Sequence, residues 1–444
     1  MAGPGRDDDG APGGGVGRRA VLPLLAGLLL APGCTAPARA PDGAPDGAAA
    51  SGAAGSAGAS GSSDDPDAPG ASGDPAADGI RRTLERRAAA LLDRDAAGHL
   101  AAFDPAARAA ARAEFGNLAA VPLASWAYHL TEVRRSGGRA AVRAELRYGL
   151  TGHDAAPVVT PRALELTERA GRWYVRADRP GDGAGAQLWE QGAVRTVRGA
   201  HGLVLGTGPD EARLRDVAGA ADRAVPAVEA AWPGRWARRV LVLVPEDLTA
   251  VGGLLGAPAA GYRGIAAVTT GGTGRRGAAP ADRIVVNPEA YGQLSAHGRE
   301  IVLTHETTHV ATRTATSAAT PSWLSEGFAD WVAYRRTELT AGQIAPELRR
   351  AVRCGEAPGA LPADADFAFG ADPAPLARAY EGGRLACELI AARWGEERLT
   401  AFYRAVGAHP GRAGAVRKAA RDVLSTTPEN LTARWRDHVR RSLR

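Results

Sequence analysis

Lysine is nearly missing from this chain. Lys418 is the only one in 444 residues, so the formal net charge of +5 rests on arginine. The arginines are interspersed with acids and carry no recognition motif, which argues against nucleic acid as a partner. Arg434, Arg436, Arg440, Arg441 and Arg444 make the C-terminus basic. They read as a solvated helix face, with anionic envelope polymers as its natural contacts. Long apolar runs are missing too. Residues 20–30, which follow Arg18 and Arg19, form an apolar stretch too short to span a bilayer as a stable anchor. This stretch reads as part of an export signal over residues 1–34, not as structure of the mature protein. Residues 35–79 lack almost every apolar type but alanine and consist mainly of Ala, Gly, Ser, Pro and Asp. Such a composition buries too little surface to offset its ordering entropy, so a flexible tether is expected.

Against this background one pentapeptide stands out. His305-Glu306-Thr307-Thr308-His309 reads H-E-x-x-H within a helically periodic segment. Histidines at i and i+4 share a helix face and can reach one cation. Glu306 is rotated off that axis, towards a water on the cation, where a carboxylate can take its proton. The bland reading is two solvated histidines on a surface helix. A catalytic zinc wants a third protein ligand. After the polar connector 312–320, Thr320 and Pro321 read as cap and first residue of a second helix. Trp323, Leu324, Phe328, Trp331 and Val332 supply its apolar face, with Glu326 and Asp330 on the other. Two like charges one turn apart destabilise a bare helix. Opposite a cation and an imidazole N–H they become favourable: Glu326 as ligand, Asp330 as acceptor from the outer nitrogen of a ligand histidine. Two solvated acids on an ordinary amphipathic helix are the alternative.

The order H-E-x-x-H, break, E-x-x-x-D resembles the gluzincin metallopeptidases, the clan of thermolysin and the aminopeptidase N family. The resemblance implies one zinc held by His305, His309 and Glu326, with Glu306 as general base and Asp330 behind a ligand histidine. Only 16 residues separate His309 from Glu326, a tighter connector similar to the smaller, minimal gluzincins. Further on, Tyr380-Glu381-Gly382-Gly383 resembles the Y-E-K-G segment that opens a helix in the aminopeptidase N family, with Gly382 in place of lysine. That likeness implies that Tyr380 donates to the oxyanion of the tetrahedral intermediate; the alternative is a buried tyrosine at a helix start. Tyr334, two turns after Glu326, is the rival donor.

Gly33-Cys34 after the apolar run resembles a bacterial lipobox, which implies lipidation of Cys34 and attachment to the outer face of the cell membrane. The arginine pair is similar to a twin-arginine signal, and ordinary secretion with cleavage nearby is the plain alternative. With Cys34 lipidated, Cys354 and Cys387 are left as a pair in an oxidising compartment. A disulfide is expected between them, with two buried free thiols as the alternative.

The folded part reads as two domains of α+β class. In residues 80–180, helical segments precede strand-like alternation at 125–130, 141–150, 163–167 and 173–176. This cone-shaped α+β pattern resembles nuclear transport factor 2-like domains and shows no catalytic constellation; His99, His129 and His153 read as surface or pocket-lining residues. Residues 188–444 read as the peptidase domain: a small mixed sheet, the zinc helix, and a helical remainder. An edge strand that pairs with substrate backbone is expected at 264–268 or 283–286. The first is preferred because Gly271-Gly272-Thr273-Gly274 beyond it reads as a mobile rim. No G-x-M-x-N segment of the kind that anchors a free substrate amine in aminopeptidases is present, which favours an endopeptidase acting on peptides or proteins. The alternatives are a zinc-binding envelope scaffold without turnover, against which the intact Glu306 argues, and a lipoprotein that binds its ligand through residues 80–180.

Overall fold

The computed structural model describes residues 74–208, 210–270, 282–368 and 373–444. The export signal, Cys34, nearly all of the tether and the rim at 271–274 lie outside these residues. Among the described residues no helix is long and apolar enough to cross a membrane. Ordered structure starts a little before residue 80. Asp74 caps the Ala76 amide and Pro75 takes the first helical position, so α1 spans Pro75–Leu92.

Two further helices, α2 (Ala96–Ala101) and α3 (Arg108–Asn117), precede four strands: β1 (Leu123–Ser136), β2 (Arg139–Leu150), β3 (Val158–Arg169) and β4 (Arg172–Pro180). The strands form an antiparallel sheet in sequence order. Period-two alternation along β2 sends Ala140, Val142, Ala144 and Leu146 inward. The β1–β2 hairpin turns at Gly137, whose φ of +57° suits glycine. His99 is not at the surface. It is fully buried, with its ring 5.1 Å from Phe103, and burial together with the nearby Arg87 guanidinium pushes its pKa down to about 4.

The remainder runs α4 (Leu188–Gln191), β5 (Arg195–Arg198), β6 (Gly202–Gly206), α5 (Glu211–Ala231), β7 (Val240–Val244), α6 (Leu248–Leu255), β8 (Ala267–Thr270) and β9 (Arg283–Val286). Helices follow: α7 (Pro288–Gly292), α8 (Ala296–Thr312), α9 (Ser322–Tyr334), α10 (Ala341–Ile344), α11 (Pro346–Arg353), α12 (Ala374–Trp394), α13 (Glu396–Gly407), α14 (Ala415–Leu424) and α15 (Pro428–Ser442). The five strands are ordered β5-β6-β7-β9-β8. The central three run parallel, and both edge strands run antiparallel to their neighbours. The molecule is thus of α+β class, with two separate sheets.

The central strands are buried on both faces, which is why they read as unbroken Val and Leu runs. Val204, Val242, Ile284 and Val286 pack with α5 and α8 residues on one face. Leu203, Leu205 and Leu241 belong to a different cluster, shared with Trp126, Leu146, Tyr148 and Leu150 of the N-terminal sheet. The N-terminal module therefore covers the second face of the five-stranded sheet, and the two modules have a core in common.

The helical half packs around Trp323, Phe328, Tyr403 and Trp435. Here α9 and α12 touch backbone to backbone. A Cβ on Gly327 would sit 2.3 Å from the Gly383 carbonyl, so the two glycines set how closely these helices approach. The expected Cys354–Cys387 disulfide is absent. Both thiols are free; Cys354 is exposed at the end of α11, whereas Cys387 is fully buried inside α12. Burial pushes the Cys387 thiol well above its usual range, which keeps it protonated and unreactive.

Candidate metal centre

Ser295 starts α8 by accepting a hydrogen bond from the Gly298 amide. From Ile301 to Thr308 every residue of this helix is buried. Such a segment must satisfy its polar side chains internally. Thr308 and Thr312 do so by donating to the carbonyls of Thr304 and Thr308, at 2.8 and 2.9 Å. His305 and His309 use the i, i+4 spacing to bring their Nε2 atoms to 3.0 Å. The reading of two solvated histidines on a surface helix does not fit: the His305 ring is fully buried and that of His309 is 15% exposed.

Helix α9 carries Glu326 and Asp330 against this pair. Its start differs from the expected Thr320 cap. Thr320 accepts from the Ser317 amide instead, and the first amide of α9, that of Ser322, is capped at 2.8 Å by Asp364 from a distant segment. One Glu326 carboxylate oxygen lies 3.4 Å from His305 Nε2 and 3.3 Å from His309 Nε2. Asp330 accepts from His305 Nδ1 at 2.8 Å, which turns Nε2 towards Glu326 and His309. His305, His309 and Glu326 each offer one ligand atom, all within 4.8 Å of one another; among the described residues this is the only such group. Burial opposes charge on His305, but its hydrogen bond to Asp330 and the Glu326 carboxylate beside it win and hold its pKa at about 10. Burial likewise disfavours the Glu326 carboxylate, and the flanking imidazoles more than offset this, bringing it down to about 2. The pocket thus strongly attracts positive charge. The Glu326 Oε2 atom is buried and, though near both rings, makes no aligned hydrogen bond. Two imidazole nitrogens and an unsatisfied carboxylate oxygen converging in a largely buried pocket are the donor set that a tetrahedral zinc ion takes.

Glu306 stands outside the ligand set, and its carboxylate is held from the sheet. Thr269 on the edge strand β8 donates to Glu306 Oε2 at 2.6 Å. Residues 264–268 overlap β8, which among the described residues pairs only with β9, whereas 283–286 is the inner of the two strands. Tyr380 sits in the second turn of α12 rather than at its start. It is buried, with its ring 6.4 Å from that of His305 and its hydroxyl close enough to feel the Glu326 carboxylate. Burial and then the carboxylates of Glu326, Asp330 and Glu306 raise its pKa, which keeps the phenol a donor. Tyr334 instead lines a cavity of about 390 Å³ with Trp331, Arg335 and Arg384, which none of the three ligand residues lines. Glu381 does not face the ligands; it caps α11 by accepting from the Glu347 and Leu348 amides.

Two contributors escaped the sequence reading. Thr269 had no local signal beyond lying on an edge strand. The Gly327–Gly383 contact links two motifs read separately and brings Tyr380 up to Glu326. No family model matches the chain, and no curated protein matches it in sequence.

Proposed function

We propose that this chain is a zinc-dependent peptidase of gluzincin type, acting on peptides or proteins as an endopeptidase. The observation that carries the reading is the meeting of the His305, His309 and Glu326 ligand atoms within 4.8 Å, with Glu306 beside but outside them. Zinc, when bound there, supplies a Lewis acid and makes a water acidic near neutral pH. Glu306 takes the proton from the attacking water and returns it to the leaving amine. Tyr380 donates to the carbonyl oxygen as negative charge develops on it. Asp330 holds the His305 ring in register, and β8 offers a side left unpaired among the described residues for an extended substrate backbone.

Metal analysis of the full chain tests the centre. About one zinc per chain is expected. His309→Ala and Glu326→Ala should each lose most of it, and equal zinc in both variants and parent would dismiss the site.

The same proposal places the enzyme outside the cell, tethered through a lipid on Cys34. Its support is the export-signal pattern over residues 1–34 and the apolar-poor composition of 35–73. Mass spectrometry of the membrane fraction should find a diacylated cysteine as the mature N-terminus. A soluble product beginning elsewhere would favour ordinary secretion.

The alternative, a ligand-binding lipoprotein, is less well supported. A cavity of about 410 Å³ between the N-terminal module and α4 is lined by Glu114, Asp178 and Glu190, but these acids are already paired with the buried Arg87 and Arg162.

A further inference from the structure

The contact between the modules includes one buried ion pair with an unusual address. Asp154, in the connection between β2 and β3, takes Arg283 of β9 in a two-pronged pair of 2.7 and 2.8 Å. The side chains are 1% and 9% exposed. Asp154 is itself fixed, because its Oδ2 accepts from the Leu150 amide at the end of β2 at 2.8 Å. Removing two charges from water costs about as much as their attraction returns, so such a pair adds little net stability. Its two parallel hydrogen bonds give a definite geometry instead.

That geometry is delivered next to the metal centre. Arg283 is the register partner of Thr270 on β8, and its carbonyl accepts from the Thr270 hydroxyl at 3.2 Å. The adjacent Thr269 holds the Glu306 carboxylate. On the other side of Arg283, Asp282 pairs with Arg313 just past the end of α8, both nearly buried. Fixed points in the β2–β3 connection, on β9 and just past the end of the ligand helix thus bracket the edge strand.

We propose that Asp154 is a positioning residue of the peptidase: through Arg283 it sets β8, and with it Thr269 and the strand edge that receives substrate. The N-terminal module is then a working part of the active site rather than an independent binding domain. This rests on the peptidase reading for its meaning, but its first test needs no turnover.

The experiment is hydrogen exchange on the full chain, parent against Asp154→Asn and Arg283→Lys. Arg283→Lys keeps the charge and loses the two-pronged fit, so it serves if the first variant does not fold. Amides of 267–270 should exchange about tenfold faster in either variant, with α12 and α15 unchanged. On a cleaved peptide, KM should rise about tenfold, and kcat should fall with it as Thr269 loses its hold on Glu306, at parental zinc content. Unchanged exchange at 267–270 in a folded variant overturns the proposal. So does a uniform rise across sheet and helices, which marks a purely structural pair. If the parent cleaves nothing, the peptidase reading fails on its own and the exchange result still decides the role of Asp154 in holding the strand.

Discussion

Glu306→Gln is expected to retain zinc and fold yet lose turnover by about 10²–10⁴-fold, the range that general acid–base catalysis supplies. The amide is nearly isosteric and can keep its place beside Thr269, whose hydroxyl then donates to the amide oxygen instead of a carboxylate 2.6 Å away. What disappears is the ability to take one proton and return it. Because Glu306 lies outside the group formed by His305, His309 and Glu326, metal content should not follow activity downwards. Steady-state kinetics with zinc measured on the same sample separate the two. Turnover near the parental rate would remove Glu306 as the base, and loss of zinc would place it among the ligands.

Tyr380→Phe should lower kcat by about 10²–10³-fold with little change in KM, as for one donor lost from an oxyanion site. The hydroxyl acts on charge that exists only during attack, so substrate binding should barely register its removal. Its environment suits the role. It is buried, and three carboxylates oppose its ionisation, so it stays a donor at any pH the protein meets. A kcat within about threefold of the parent would assign the donor elsewhere. Tyr334 is a poor successor, since it faces a cavity lined with Arg335 and Arg384.

The parts of this site that were legible in the sequence are those fixed by short-range rules. The i, i+4 spacing alone puts His305 and His309 on one helix face, and Glu326 and Asp330 follow the same rule on α9. The four strands of the N-terminal sheet and the inner strands of the second could be read because alternation and continuous Val–Leu runs report burial directly, whereas the short edge strand β5 carries neither signal. What was not legible depends on partners far away in the chain. Asp364 caps α9 across 42 residues, displacing the local Thr320 from that task. The Cys354–Cys387 pairing followed from counting thiols, but Cys387 turns into the core while Cys354 faces solvent. Leu203, Leu205 and Leu241 carry no mark showing that the covering layer comes from the N-terminal module, so the reading of two domains gives no sign of their common core. Gly383 reads locally as part of a Y-E-x-G segment, whereas its place is explained by Gly327 on the facing helix.

The central claim is that the convergence of His305, His309 and Glu326 is a working hydrolytic centre. The most direct measurement is cleavage of a peptide library by the full chain as purified, after chelation, and after zinc is restored. The account predicts internal cleavage that stops on chelation and returns with about one equivalent of zinc per chain. A zinc-loaded, folded protein that cuts no peptide, or cleavage indifferent to chelation, would contradict it.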